Sequence, residues 1–233
     1  LFASKKFNDK SLHPLVAAQG KVEWWRMGQI MSALRKHGLA EKTLILFTSD
    51  NGPWLIMKLN GGSAGLLRGG KGSTWEGGMR EPCAARWPGH ISPGTVTYGL
   101  SSTLDIFPTC LALAGVNLAE GQIVDGVNML PMLLGTGKSQ RKVMFFYRGT
   151  RLMAVRKGPW KMHIITQAGY GDKRHKHDPP LLFHLEHDPS EKHNVAESHP
   201  NVIADIMKEI QRHQATVKPV KSQLEVPLAK RGT

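Results

Sequence analysis

Cysteine is almost missing from this sequence: Cys83 and Cys110 are the only two among 233 residues. A chain of this length builds a core without covalent staples, so no disulfide framework is needed, and two buried free thiols are expected. Long apolar runs are missing too. None approaches the ~20 residues that cross a bilayer, which excludes a membrane-spanning helix. Acidic residues are scarce, with 18 Asp and Glu against 31 Lys and Arg, and the formal charge is +13. Such an excess draws polyanions. Neither a basic helix nor an aromatic-interleaved strand motif accompanies it, so nucleic acid is not the expected partner. The opening Leu1-Phe2-Ala3-Ser4 has no initiator methionine and no leader pattern, which suggests a segment of something longer.

Glycine and proline are plentiful, at 25 and 14 residues, as in a folded chain with many turns. Met27, Ile30, Met31 and Leu34 recur at helical spacing, and Arg35-Lys36-His37-Gly38 supplies a basic last turn and a stop, so a helix is expected at 22–37. Thr43-Leu-Ile-Leu-Phe-Thr48 is a continuous apolar run of strand length, expected to be covered by helices on both faces. From Gly61 to Gly78 eight of eighteen residues are glycine, so this is a loop whose backbone comes close to something. A second helix is expected at Thr103–Ala114, ended by Gly115.

Beyond Gly135-Thr-Gly-Lys-Ser139 the texture changes. Val143–Arg148, Leu152–Lys157 and Trp160–Thr166 read as an antiparallel meander. Val202, Ile203, Ile206, Met207 and Ile210 line one face of a last helix. The expected organisation is an α/β domain over 1–135 followed by a small antiparallel α+β subdomain over 140–233.

Asp50 and Asn51 stand at the mouth of the apolar strand, where open α/β sheets hold ligands, and offer two hard oxygens suited to Ca²⁺ or Mg²⁺. An ordinary Asx turn before Gly52-Pro53 fits the same spacing. Lys71, flanked by Gly69, Gly70 and Gly72, is placed to meet an anion, or else is a surface lysine. Gly65 to Lys71 fits G-x-x-x-x-G-K, but Gly72 replaces the required Ser or Thr, which excludes a nucleotide-binding P-loop. Lys161 and His163 alternate onto one side of a strand, where they line a substrate mouth or are half-exposed sheet residues. Lys173-Arg-His-Lys-His-Asp178, with two imidazoles, reads as a solvated loop rather than a metal site.

The order of these pieces is more specific than any one of them. Thr48-Ser-Asp-Asn-Gly-Pro53, Gly61-Gly-Ser63, Leu66 through Trp75-Glu76-Gly-Gly-Met-Arg80-Glu-Pro82 and Trp87-Pro-Gly89 closely resemble the second half of the sulfatase family. The likeness continues through Leu104-Asp-Ile-Phe-Pro-Thr109, Lys161-x-His163 and Leu182 to Asp188-Pro-Ser-Glu191. Phe145-Phe-Tyr-Arg-Gly149 and Pro180 to Leu185 are most similar to the N-acetylgalactosamine-6-sulfatase and arylsulfatase A branch.

The resemblance implies an alkaline-phosphatase-like sandwich, hydrolysis of sulfated sugars or aryl sulfates, and a secreted, periplasmic or lysosomal setting. It makes Asp50 and Asn51 ligands of Ca²⁺ and Lys71 the lysine that binds the sulfate ester. Glu76 and Arg80 match the motif's glutamate and arginine, expected to fix the loop. The family's nucleophile is a formylglycine made in a C/S-x-P-x-R motif. Neither Cys83-Ala-Ala-Arg86 nor Cys110-Leu-Ala-Leu113 fits it, so the nucleophile and the remaining calcium ligands are expected in a half outside this chain, which alone is expected to be inactive. Two rivals are a metal-dependent phosphatase or phosphodiesterase of the same superfold and a non-catalytic polyanion-binding remnant. The amide of Asn51 favours Ca²⁺ over the zinc of the former.

Overall fold

The computed structural model describes residues 14–218 and 220, so the reading of Leu1 to Ser4 lies outside the described residues. Helix α1, Pro14–Lys36, starts earlier than the periodicity indicates. Its end is the expected one. Gly38 takes φ 66°, and the amides of Gly38 and Leu39 return to the carbonyls of Arg35 and Leu34, closing the last turn as a left-handed glycine cap.

Strand β1, Ile45–Thr48, pairs antiparallel with β2, Cys83–Arg86, with Ile45 opposite Arg86 and Thr48 opposite Cys83. This corrects the expectation of a strand covered on both faces. Among the described residues β1 pairs with β2 alone, and Phe47 is 38% exposed. Both cysteines are exposed as well. Cys83 begins β2 opposite Thr48, and Cys110 follows buried Thr109 in the helix Ile106–Leu113.

Between the ribbon and the meander lie short helices: α2, Glu76–Met79, α3, Ile106–Leu113, and α4, Leu130–Leu133. Ser102 and Asp105 form a reciprocal capping box over the 3-10 turn Thr103–Asp105 that leads into α3. Asp105 is fully buried and also accepts from the Val127 amide at 2.8 Å and from the Arg141 guanidinium. Arg141, just past the glycine-rich linker, is thereby anchored onto the α3 region.

The meander forms as read, with a fourth strand added: β3 Val143–Arg148, β4 Arg151–Lys157, β5 Trp160–Thr166 and β6 His175–His184, in sequential antiparallel order. Strand β6 takes in most of the segment read as a solvated loop. His177 Nε2 meets Thr166 Oγ1 at 2.8 Å, and Pro179 and Pro180, which cannot donate to a ladder, fall where the β5–β6 register shifts. Helix α5, Pro200–Thr216, packs Ile206 and Ile210 onto Leu152, Val155, Met162 and Leu182 of one sheet face. The other face, which carries Phe146, Ala154, Lys161, His163 and Phe183, is buried too.

Candidate functional site

The Asp50-Asn51 turn and the glycine loop are built against each other. Lys71 N–H donates to the Pro53 carbonyl at 2.9 Å, and Gly52 N–H to the Gly78 carbonyl at 3.3 Å. No side chain fits between the two segments. A Cβ at Gly52 would stand 1.8 Å from the Gly77 oxygen, and one at Gly70 would stand 2.5 Å from the Pro53 oxygen. The loop also folds on itself, with Gly77 N–H donating to Arg68 O at 2.7 Å and Ser73 Oγ to Gly70 O at 2.8 Å. The glycines are therefore explained by close backbone approach.

Lys71 emerges half-buried from this lock, its ammonium 5.5 Å from the Trp54 ring centre. Asp50 is exposed and Asn51 half-buried. Glu81 lies close enough that burial first, and then the Asp50 charge, push its carboxyl above the usual range. Its Oε1 is buried without a protein hydrogen-bond donor. A carboxylate and an amide oxygen beside a second acid are donors that fit a hard cation such as Ca²⁺. Among the described residues no group of three or more His, Cys, Asp or Glu forms a complete site.

Directly after Lys71 the chain enters the interior. Ser73, Thr74, Trp75 and Glu76 are all buried, and they meet the face of the meander opposite α5. Lys161 Nζ donates to Glu76 Oε1 at 2.8 Å, with both side chains withdrawn from water. Arg156 reaches Glu76 Oε2 at 3.3 Å. Glu191 accepts the Glu76 amide at 2.6 Å through Oε2 and His163 Nε2 at 2.7 Å through Oε1, and Lys161 lies 3.5 Å from the same Oε1. Two carboxylates are thus offset by one lysine and one arginine, which is how a fully buried lysine is tolerated. Trp75 has the Arg68 guanidinium over its ring at 3.7 Å and the His163 ring, tilted, at 4.2 Å.

Burial holds the His163 pKa down to about 4, against the opposing pull of Glu191. At neutral pH the ring is uncharged, and its contact with Glu191 is a hydrogen bond from Nε2–H to a carboxylate. Burial alone would raise the Glu191 carboxyl, but the hydrogen bond from His163 and the charge of Lys161 hold it below the usual range.

The expectation of half-exposed side chains for Lys161 and His163 is therefore corrected: both are at 0% exposure, because the glycine loop covers that sheet face. Neither reaches a substrate mouth, since both side chains are spent on Glu76 and Glu191. Arg80 stays largely exposed, 4.0 Å from Glu76. Glu191 closes the Asp188-Pro-Ser-Glu191 motif, whose sequence assigns it no chemistry. It takes φ 50°, a left-handed conformation uncommon outside glycine, with its carbonyl bound by Arg68 at 2.8 Å and its neighbour Ser190 bound to Leu66 O at 2.6 Å. Two bases buried on one strand call for buried acids, but their burial is itself not readable from the sequence.

Two family models match the chain: one described as Sulfatase over residues 25–116, the other as the C-terminal region of aryl-sulfatase over residues 139–230. The chain is 43% identical to arylsulfatase A of Bos taurus, with 80% of this chain and 40% of that protein aligned. It is 35% identical to N-acetylgalactosamine-6-sulfatase of Mus musculus, with 97% and 48% aligned. Among solved structures, the PsFucS1 sulfatase from Pseudoalteromonas sp. superposes with a TM-score of 0.76 at 34% identity, over 81% of this chain and 40% of that one. The chain spans less than half the length of these relatives.

Proposed function

Since the chain belongs to the sulfatase family, we propose that the protein it is part of hydrolyses sulfate esters, with Lys71 binding the sulfate and Asp50 and Asn51 contributing to a Ca²⁺ site. The backbone lock between Lys71 and Pro53 carries this reading, because it holds a cationic side chain and a hard-oxygen pair in one rigid unit. Bound calcium and a formylglycine supplied from outside this chain would provide the charge neutralisation and the nucleophile.

The residues here have three tasks in that reaction. Lys71 offers a compact charge to sulfate oxygens, worth most as negative charge grows on the leaving group. Asp50 and Asn51 donate two of the ~6–8 oxygens that calcium takes. Glu76 holds the loop from behind, through its buried partners, so that the lysine is placed in advance. Sulfated carbohydrates or aryl sulfates are the substrates proposed, and 1–135 and 140–233 the domains that divide the work between site and support.

In a full-length enzyme carrying this chain, Lys71→Ala should lower kcat/KM for a sulfate ester by about two orders of magnitude, the typical loss of one preorganised oxyanion donor. Lys157→Ala, whose partners Asp205 and Glu209 lie on α5, should leave it nearly unchanged. Equal activity in both variants would remove Lys71 from the sulfate site.

A further inference from the structure

Gly72, next to Lys71, lies against an aromatic ring from a distant part of the chain. A Cβ built at Gly72 would meet Tyr170 Cε2 at 2.6 Å, so the ring rests on the backbone of the lysine loop. Tyr170 belongs to the connection between β5 and β6, and this connection is braced. Buried Gln167 donates to the Asp172 carbonyl at 2.7 Å and accepts from Arg174 Nε at 3.2 Å. From β3, Arg148 donates to the Gly169 carbonyl at 3.0 Å and places its guanidinium 4.9 Å from the centre of the Tyr170 ring.

For all this support, Tyr170 is 69% exposed. An open ring gains little from burial, so folding alone does not account for fixing it there. We infer that Tyr170 is a platform for the sugar ring of the substrate whose sulfate Lys71 holds, which makes it a specificity-determining residue. Its exposed face offers the apolar area on which a pyranose ring stacks. The charges select an acidic glycan over a neutral sterol: the Arg148 guanidinium lies at the ring, and Lys173 and Arg174 follow it in the same connection against the single acid Asp172.

The inference rests on Lys71 as the sulfate ligand, and the test separates the two. In a full-length enzyme carrying this chain, kinetics are measured on p-nitrophenyl sulfate and on a sulfated disaccharide that bears a uronate. Tyr170→Ala should raise KM for the disaccharide about tenfold or more, with kcat and the aryl sulfate changed by less than about threefold, and Tyr170→Phe should stay near wild type. Equal losses on both substrates would mean that Tyr170 only props up Gly72. Unchanged disaccharide kinetics, or a wild-type enzyme that does not cleave the disaccharide, would also overturn the platform. Full activity in Lys71→Ala would overturn the sulfate site itself. An inactive Lys71→Ala with unaltered Tyr170→Ala would sink the platform alone.

Discussion

Glu76 and Lys161 are ion-paired at 2.8 Å, both out of contact with water and 85 residues apart in sequence. The pair joins the segment that follows Lys71 to the middle of the meander, so the meander is the seat on which the proposed sulfate loop rests. Desolvating two charges offsets most of their attraction, and the pair is better understood as fixing one arrangement than as a large net stabiliser.

Removing one partner alone should therefore be costly. Lys161→Met leaves buried Glu76 with Arg156 at 3.3 Å and largely exposed Arg80 at 4.0 Å, and a loss on the order of 3–5 kcal/mol is expected. The double variant Lys161→Met/Glu76→Gln should lose clearly less than the sum of the two single changes, as read by denaturant unfolding in a double-mutant cycle. Strict additivity would show that the two side chains do not interact.

Much of the fold could be read from the sequence, because helix periodicity, the Gly38 stop and the three short strands are local signals. The burial of β5 was not local. Trp160-Lys-Met-His-Ile alternates polar with apolar residues, which reads as one wet and one dry face, and nothing near Lys161 or His163 announces that Glu76 and Glu191 cover them. The apolar run at β1 indicates two-sided burial, whereas among the described residues it pairs with β2 alone and Phe47 stays 38% exposed. In the site, Lys71 and the Asp50-Asn51 turn stood out through their glycine and turn contexts. Glu191 did not, as an acid after Asp188-Pro-Ser looks like any surface turn.

His163 should make stability depend on pH in a defined direction. Its pKa is about 4 when folded and 6.5 when free, so the unfolded chain takes up the proton first. Its contribution is complete above about pH 6.5 and shrinks as pH falls toward 4, by on the order of 3 kcal/mol. Glu191, held low when folded, extends the loss below its ordinary value. Unfolding free energy measured from pH 7 to 4.5 should fall in the wild type and fall much less in His163→Gln. The same slope in both would place the titration elsewhere.

Glycine substitutions separate the placing of Lys71 from general stability. At Gly65 φ is +61° and nothing lies within 4 Å of an added Cβ, so Gly65→Ala strains only its own backbone, at roughly 1–2 kcal/mol. Gly70 takes no positive φ, but its Cβ would stand 2.5 Å from the Pro53 oxygen and 2.8 Å from Leu55 Cγ. Backbone on one side and a side chain on the other cannot both yield without moving the hydrogen bond from Lys71 N–H to Pro53. Gly70→Ala should thus part the lysine loop from the Asp50-Asn51 turn. In a full-length enzyme carrying this chain, it should lower kcat/KM for a sulfate ester by at least about tenfold, the scale expected when a positioned group shifts by about an ångström. Gly65→Ala should lower the unfolding midpoint while leaving kcat/KM within about threefold. If Gly70→Ala kept wild-type kinetics, the lock between the two segments would have no part in placing the lysine.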